Sequence, residues 1–277
     1  MTFDDRAGSF TFRDPAAGTR GSIRVFYARP TSIGRDTRVV FAMHGFDRAA
    51  AEFRDCWLDH AERLGLLVLV PEFDAEAFPG AHGYNFGNAR SPDPHGAMVP
   101  RSLWNFGILD RVFEQTRVSL DLRQKTFGLF GLSAGGQYVL RYLALTEGSS
   151  VDVAISGNCG IYMLPDLATE YPNGMGGLDL DESFLRRYLA RQTIILLGEA
   201  DTDANAHDLP RGEAALAQGP HRLARGLWHF DRCREVAARL GVDFGWRLER
   251  LPGAHHVDPM IFDRAAEIVA GHENCWS

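Results

Sequence analysis

The sequence predicts an α/β protein in which a mostly parallel, twisted sheet is covered by helices on both faces. Short β-branched or alternating apolar runs recur along the chain, and segments with the 3.6-residue spacing of an amphipathic helix lie between most of them. This alternation is typical of parallel sheets, whose crossover connections place helices on the faces. With 277 residues, of which 45% are hydrophobic, the chain is long enough to bury a large core.

The predicted elements follow one another in a regular order. Strands are predicted at Ser22–Arg29, Arg38–Met43, Leu66–Pro71, Thr126–Phe130, Val151–Ser156, Thr193–Leu197 and Phe244–Leu251. Helices are predicted at Arg48–Leu64, Pro100–Val118, Gly135–Thr146 and Leu223–Leu240. A closing helix has the clearest start, because Asp258 suits the N-cap and Pro259 the first helical position; its apolar face ends before Gly271.

A single domain is expected over residues 1–277, because no repeat, low-complexity tract or linker divides the chain. Two long segments, residues 74–99 and 160–191, do not fit the strand–helix pattern and are rich in glycine. Loops of this length are usually functional. We therefore expect residues 160–191 to form an insertion that covers the site as a lid, with ordinary surface insertions as the alternative.

The composition argues against several classes of function. Lys and Arg number 29 against 36 Asp and Glu, a net charge of -7 without a dense basic stretch, so we expect no binding to nucleic acid or to an anionic membrane. No apolar run reaches the roughly 18–20 residues of a membrane helix. The acidic first residues do not resemble a secretory signal, and we expect a cytoplasmic protein.

The cysteines and histidines suggest neither a disulfide framework nor a metal site. Cys56, Cys159, Cys233 and Cys275 lie far apart, and no pair of histidines has the spacing of zinc ligands. We expect reduced thiols and no bound metal.

The strongest local signal is a G-x-S-x-G pattern at residues 131–135, with Ser133 at its centre. The pattern follows a predicted strand and opens a predicted helix, the setting in which a nucleophilic serine is held on a sharp, strained turn. Side chains at Gly131 and Gly135 would collide with the neighbouring strand and helix. The N-terminus of the helix offers N–H groups and a positive dipole end to a developing oxyanion. Capping of that helix is the non-catalytic alternative for Ser133.

A serine hydroxyl needs a base to take its proton, and the base needs a third group to fix its tautomer. In this setting the expected chain order is nucleophile, acid, histidine. After the sixth predicted strand, Asp201 is favoured as the acid over Asp203 and then Glu199, because it lies one short turn beyond the strand. After the last strand, His256 is favoured as the base over His255, and the other histidine is expected in the wall of the substrate pocket.

An oxyanion hole requires two N–H donors about 3 Å from the substrate oxygen. One is expected from Ala134, the residue after the nucleophile. The second is expected from Phe46, because the preceding Gly45 lets the backbone approach the ligand. His44 precedes the nucleophile in the chain, so it is expected to shape this loop and to border the substrate rather than to act as the base.

Together these motifs resemble the α/β-hydrolase superfamily. They are His44-Gly45-Phe46, Gly131–Gly136, Gly198–Asp201 and Pro252–His256, and they lie within Arg38–Gly271, nearly the whole chain. The Ser-Ala-Gly-Gly elbow and the closing Pro-Gly-x-x-His resemble the polyhydroxybutyrate-depolymerase and feruloyl-esterase-like branch and related bacterial hydrolases. The resemblance implies an α/β-hydrolase fold, a triad of Ser133, Asp201 and His256, and hydrolysis of a carboxylic ester.

The sequence therefore predicts a serine esterase that needs no cofactor and acts on a small-molecule ester through an acyl-enzyme. Tyr162 and Met163 are expected near the acyl or alcohol pocket. An amide or peptide hydrolase and a non-catalytic ligand-binding protein are the alternatives on the same fold. Acyl length and oligomeric state, including a homo-oligomer, are left open.

Overall fold

A mixed sheet of eight strands forms the centre of the molecule, whose computed structural model describes residues 3–14, 21–93, 96–146 and 150–271. The strands are β1 (Ala7–Arg13), β2 (Ser22–Ala28), β3 (Arg38–Met43), β4 (Leu66–Pro71), β5 (Phe127–Leu132), β6 (Val151–Gly157), β7 (Thr193–Gly198) and β8 (Trp246–Leu251). The α-helices are α1 (Ala50–Asp55), α2 (Leu58–Leu64), α3 (Gly80–Gly83), α4 (Gly107–Ser119), α5 (Ala134–Leu145), α6 (Glu182–Ala190), α7 (Glu213–Leu216), α8 (Arg222–Leu240) and α9 (Pro259–Ala270).

The strands are arranged in the order β1-β2-β4-β3-β5-β6-β7-β8. Strand β2 pairs antiparallel with β1 and β4, and every pair from β4 through β3 to β8 is parallel. The predicted mostly parallel sheet is confirmed, and the bounds of all seven predicted strands hold to within two residues. Sequence analysis missed β1, a half-exposed edge strand whose apolar alternation is weak.

Helices cover both faces of the sheet, as predicted. Alternate residues of β3 belong to different apolar clusters: Val39, Phe41 and Met43 pack beneath α4 and α5, while Val40 and Ala42 pack beneath α1, α2 and α9. Because successive side chains of a strand point to opposite faces, a fully apolar strand such as β3 requires a layer of helices on each side. Because strands β3 to β8 are parallel, their carboxyl ends lie at one edge of the sheet, which the helices on the two faces leave open. Each predicted motif follows one of these ends.

Two predicted helices have different bounds in the structure. Residues predicted as one helix over Arg48–Leu64 form α1 and α2, which are separated at Cys56 and Trp57. The Trp57 side chain is fully buried and packs edge-on against Phe130, which fixes the position of this break. The helix predicted from Pro100 begins only at Gly107, after a short 3-10 turn at Arg101–Leu103.

Residues 160–191 pack into the fold in this structure. Tyr171, Met175 and Leu178 are buried, and the segment ends in α6, which contacts both α5 and α8. The Tyr171 hydroxyl donates to the Phe86 carbonyl oxygen at 2.6 Å and joins the segment to the other long loop. A role as a lid remains a prediction.

Cysteines within the described ranges, Cys56, Cys159 and Cys233, are free thiols, while Cys275 lies outside those ranges. No helix among the described residues is both long and apolar enough to cross a bilayer.

Candidate active site

Ser133 occupies a strained turn between β5 and α5. Its φ of 57° and ψ of -116° place a non-glycine residue in a region that L-amino acids rarely adopt. The backbone is held there because the Ser133 N–H donates to the Gly157 carbonyl oxygen at 2.9 Å and the Ser133 carbonyl oxygen accepts from Gln137. Among the described contacts, the Ser133 side chain makes no hydrogen bond that caps α5, which removes the support for the capping alternative.

Glycines are required on both sides of this turn, as the sequence predicted. A Cβ atom on Gly131 would overlap the backbone of Gly135, and one on Gly135 would overlap the carbonyl group of Met43 at the end of β3. A Cβ on the next residue, Gly136, would lie 2.8 Å from the Gly157 carbonyl oxygen. The helix can therefore approach the sheet edge closely enough to carry Ser133 at its first turn.

Asp201 and His256 are in direct contact, although 55 residues separate them. His256 Nδ1 lies 2.9 Å from Asp201 Oδ2, and the side chains are 22% and 4% exposed. Since a carboxylate can only accept, Nδ1 carries the proton and donates it, which leaves Nε2 as the unprotonated nitrogen of the neutral ring. This is the tautomer that a general base requires.

The competing candidates have other partners. Asp203 is exposed and its carboxylate accepts from the backbone N–H of Asn205, while Glu199 pairs with Arg250 at 2.8 Å. His255 is exposed, and its backbone N–H, not its ring, contacts Asp258. Of the acid and base candidates, the structure brings together Asp201 and His256.

Asn158 connects the elbow to the loops that carry the acid and the histidine, and sequence analysis did not identify it. Its side-chain oxygen accepts from the Gly198 N–H at 2.9 Å, and its amide nitrogen donates to the His256 carbonyl oxygen at 2.9 Å. It is fully buried, has a φ of 45°, and directly follows Gly157, which accepts from Ser133. The ends of β5, β6, β7 and β8 are thereby joined at one place. The only sequence signal was a polar residue after an apolar strand.

The two backbone N–H groups expected for an oxyanion hole lie in the loop after β3 and at the start of α5. Within the described part of the chain, the N–H groups of Phe46 and Ala134 donate to no protein acceptor. Ala134 begins α5, where the unpaired N–H groups and the helix dipole favour negative charge. These are the donors that the sequence predicted for an oxyanion.

Ser133 as a whole residue is half-buried. Of the described hydrogen bonds, none joins Ser133 Oγ to His256. Catalytic hydrogen bonds are often long or poorly aligned without substrate and tighten when it binds.

Comparison with solved structures shows the family. Poly(aspartic acid) hydrolase-1 from Sphingomonas sp. KT-1 is 36% identical, with a TM-score of 0.90 over 95% of this chain and 98% of that chain. The chain belongs to the α/β-hydrolase superfamily. LpqC, a poly(3-hydroxybutyrate) depolymerase from Bordetella parapertussis, is 31% identical, with a TM-score of 0.88 over 95% of this chain and 88% of that chain.

More distant members of the superfamily share the fold. An S-formylglutathione hydrolase from Agrobacterium tumefaciens is 16% identical, with a TM-score of 0.59 over 96% of this chain and 92% of that chain. No family model and no curated protein matches the sequence. The solved neighbours are hydrolases, which supports a hydrolase activity for this α/β-hydrolase.

His44 is fully buried beneath the loop that carries Phe46. His44 Nδ1 lies 2.9 Å from the Gly45 carbonyl oxygen, and Nε2 accepts from the Phe73 N–H at 3.2 Å. Burial lowers the pKa of His44 to about 4, so the ring is neutral. The Tyr84 hydroxyl donates to the His44 carbonyl oxygen at 2.8 Å. Both ring nitrogens of His44 therefore contact backbone atoms, one in its own loop and one at Phe73. Its expected place beside the substrate stays a prediction.

Tyr162 and Met163 are also buried. The backbone of Tyr162 forms two hydrogen bonds with the Gln218 side chain, and its ring stacks on His229 with 4.6 Å between the centroids. These contacts place both residues inside the core rather than on the exposed edge. Their expected contact with substrate would require that core to open. His255 and the 53% exposed Phe46, in contrast, present their side chains to solvent.

No group of three or more His, Cys, Asp and Glu side chains within the described ranges is arranged to hold a metal ion.

Proposed function

We propose that this protein is a serine hydrolase that cleaves carboxylic esters through an acyl-enzyme, with Ser133 as nucleophile, His256 as base and Asp201 as the acid. The observation that carries the proposal is the 2.9 Å contact between His256 Nδ1 and the buried Asp201 carboxylate, at the sheet edge that presents Ser133. Strain at Ser133 supports the same assignment, because unfavourable backbone geometry persists mainly where function requires it.

In the proposed reaction, His256 Nε2 takes the Ser133 proton as Oγ attacks the substrate carbonyl carbon. The N–H groups of Phe46 and Ala134 stabilise the oxyanion, and Asp201 stabilises the imidazolium that forms. His256 then donates the proton to the leaving alcohol as the C–O bond breaks. Water, deprotonated by His256, attacks the acyl-enzyme and releases the acid and free Ser133.

We further propose that the acyl or alcohol group of the substrate is apolar and contacts Phe46 and Val257. Phe46 carries one proposed oxyanion donor and is 53% exposed, and Val257 follows the proposed base and is 66% exposed. His255, also exposed, is assigned to the pocket wall.

An amide is the second candidate substrate. One solved neighbour is named for a polyester, poly(3-hydroxybutyrate), and the other for poly(aspartic acid), whose units are joined by amides. Hydrolysis of an ester and of an amide can both proceed through the proposed acyl-enzyme, because both substrates have an acyl carbonyl group and differ only in the leaving group. Turnover of a p-nitrophenyl ester compared with the matching p-nitroanilide distinguishes them, and we expect ester hydrolysis to be the faster reaction.

Matched variants test the assigned triad. We expect His256→Ala and Asp201→Asn each to lower kcat for p-nitrophenyl acetate by roughly 10³-fold or more, because triad members act as a unit. His255→Ala and Asp203→Asn, which remove exposed neighbours of the same chemical type, should keep kcat within about threefold. The assignment is wrong if loss of activity follows His255 or Asp203 instead.

A further inference from the structure

Behind the proposed triad lies a buried guanidinium group that the reaction scheme does not use. Arg222 is 2% exposed; its Nη2 donates to Asp208 Oδ1 at 2.6 Å, and its Nη1 lies 3.6 Å from Asp201 Oδ1. The two oxygens of Asp201 therefore face different partners, since Oδ2 contacts His256 and Oδ1 faces Arg222. Rotation of the carboxylate away from His256 would separate it from both.

Stability of helix α8 does not explain the position of Arg222. It is the first residue of the 19-residue α8, where the positive end of the helix dipole repels a cation, and the first turn contains no acidic residue. Within the described residues, its buried Nε has no hydrogen-bond partner. A buried charge costs free energy unless it is well paired. This cost is consistent with a role other than stabilising α8.

We propose that Arg222, held in place by Asp208, is a positioning residue that fixes the Asp201 carboxylate and sets the pH at which His256 becomes a base. The inference rests on the proposed function. The proposal describes a chain of side chains with alternating charge: Asp208 is negative, Arg222 positive and Asp201 negative, and His256 becomes positive when it is protonated.

Charged and titratable groups surround this chain on several elements. Arg225, on the same helix turn, donates to the carbonyl oxygens of Gly160 and Gly219. Cys159 and Tyr162 face Arg222 and Asp201 from the segment after β6, and burial raises the pKa of both. They are uncharged at neutral pH, and Arg225 adds a further positive charge beside Arg222.

The Asp208 carboxylate compensates the positive charge of Arg222. Partial burial alone would raise its pKa, but the hydrogen bond and charge of Arg222 lower it overall. Its side chain is 41% exposed, so an amide can replace the carboxylate with little disturbance of the core. Arg222 and Asp201 are therefore the buried members of the chain, and Asp208 is the member that is readily substituted.

Arg222 and Asp208 should shift the pKa of His256 in opposite directions. The positive charge of Arg222 disfavours the imidazolium, so Arg222→Gln should move the acidic limb of kcat/KM upward, by roughly half a pH unit or more. The negative charge of Asp208 favours the imidazolium, so Asp208→Asn should move that limb downward. We expect Arg222→Gln also to lower kcat by about tenfold or more, because Asp201 loses the group that orients it.

The experiment measures kcat/KM for p-nitrophenyl acetate against pH for wild type and both variants. Arg222→Lys should restore the position of the limb but only part of kcat, because an ammonium lacks the planar fork that contacts two carboxylates. The controls are Arg234→Gln and Asp231→Asn, which remove an exposed ion pair on the same helix and should leave the profile unchanged.

Shifts of the acidic limb in opposite directions in Arg222→Gln and Asp208→Asn support the proposal. If the two variants have the same pH profile of kcat/KM, the proposal is wrong. If Arg222→Gln does not fold, the downward shift in Asp208→Asn decides the question. Wild type is measured first, so failure to turn over any ester counts against the proposed function alone. In that case the His256 pKa, followed by NMR of its ring protons, provides the same test without turnover.

Discussion

At the scale of single residues, Asn158 shows how a buried polar side chain can hold several loops together. Its amide joins the Gly198 N–H to the carbonyl oxygens of His255 and His256 at one crossing of loops. It has a positive φ, and it directly follows Gly157, whose carbonyl oxygen accepts from the Ser133 N–H. No local pattern marks such a residue, because its partners lie 40 and 98 positions along the chain.

We predict that Asn158→Asp lowers kcat by about tenfold or more and destabilises the fold. The new oxygen would face the His256 carbonyl oxygen where an N–H now donates, so the loop that carries His256 shifts. Asn88→Asp is the matched control: Asn88 also has a positive φ, and its amide donates to Leu103 away from the site. It should lose stability and keep kcat. Equal loss of kcat in both variants would contradict the positioning role.

A second residue-scale prediction concerns the close approach of α5 to β3. Gly135→Ala places a methyl group on the backbone carbonyl of Met43, which cannot move aside as a side chain can. We expect a loss of more than about 2 kcal/mol in the free energy of unfolding, measured by urea denaturation, together with loss of activity. At Gly212, which has open space around it, Ala should change stability by less than about 0.5 kcal/mol. A stable, active Gly135→Ala protein would refute this packing account.

At the scale of elements, the sequence predicted the strands and the motifs at their ends more accurately than the loops between them. Apolar periodicity reports burial of a face directly, which is why β3 to β8 were found with nearly their observed bounds. Tyr162 and Met163 were expected beside the substrate because they lie in a long insertion. Both side chains are instead buried, and Tyr162 is held by tertiary contacts with Gln218 and His229.

Arg141 holds residues 160–191 against α5. It is fully buried; its guanidinium donates to the Pro172 carbonyl oxygen at 3.1 Å and lies 4.6 Å from the centre of the Phe86 ring. Burial lowers the pKa of Arg141, although other groups oppose the shift. The side chain therefore acts as an anchor between the two long loops.

We predict that Arg141→Leu lowers the free energy of unfolding by roughly 2–4 kcal/mol, because the Pro172 carbonyl oxygen loses its donor and the ring loses its cation. Limited proteolysis should cleave within residues 160–178 faster than in wild type. The control is Arg186→Leu, which breaks an exposed pair with Glu182 and an exposed hydrogen bond to the Leu240 carbonyl oxygen, and should cost less than about 1 kcal/mol. If neither stability nor cleavage changes in Arg141→Leu, this arginine is not the anchor.

At the scale of the whole molecule, two buried histidines couple stability to pH. Burial lowers the pKa of His44 to about 4 and that of His229 to about 3, whereas both titrate near 6.5 in an unfolded chain. At pH values between the native pKa of each histidine and 6.5, the unfolded state binds more protons than the native state. The free energy of unfolding therefore falls as the pH is lowered from 6.5 toward 4, by roughly 3 kcal/mol for His44.

The variant His229→Phe isolates one of these contributions. Phenylalanine keeps the stacking with Tyr162 and removes the proton-binding site. We expect a shallower decline of the unfolding free energy between pH 6.5 and 4, measured by urea denaturation at several pH values. Replacing the exposed His207 with Gln should leave the slope unchanged. The linkage is wrong if His229→Phe has the wild-type slope.

The fold follows from one property of the whole chain: apolar strands end at one sheet edge, and the predicted motifs lie in the residues after those ends. That property made the contact between Asp201 and His256, and the strained turn at Ser133, predictable from sequence order. Asn158 and Arg222 were not, because their roles depend on distances between loops that no local pattern records.

Labelling with a fluorophosphonate probe tests the central claim most directly. The folded wild-type protein should take up one probe per chain, with mass spectrometry placing the phosphonate on Ser133, and Ser133→Ala should remain unlabelled. His256→Ala should label far more slowly, because its serine lacks a base. If folded wild type does not react, or if the label lies on another residue, Ser133 is not the activated nucleophile.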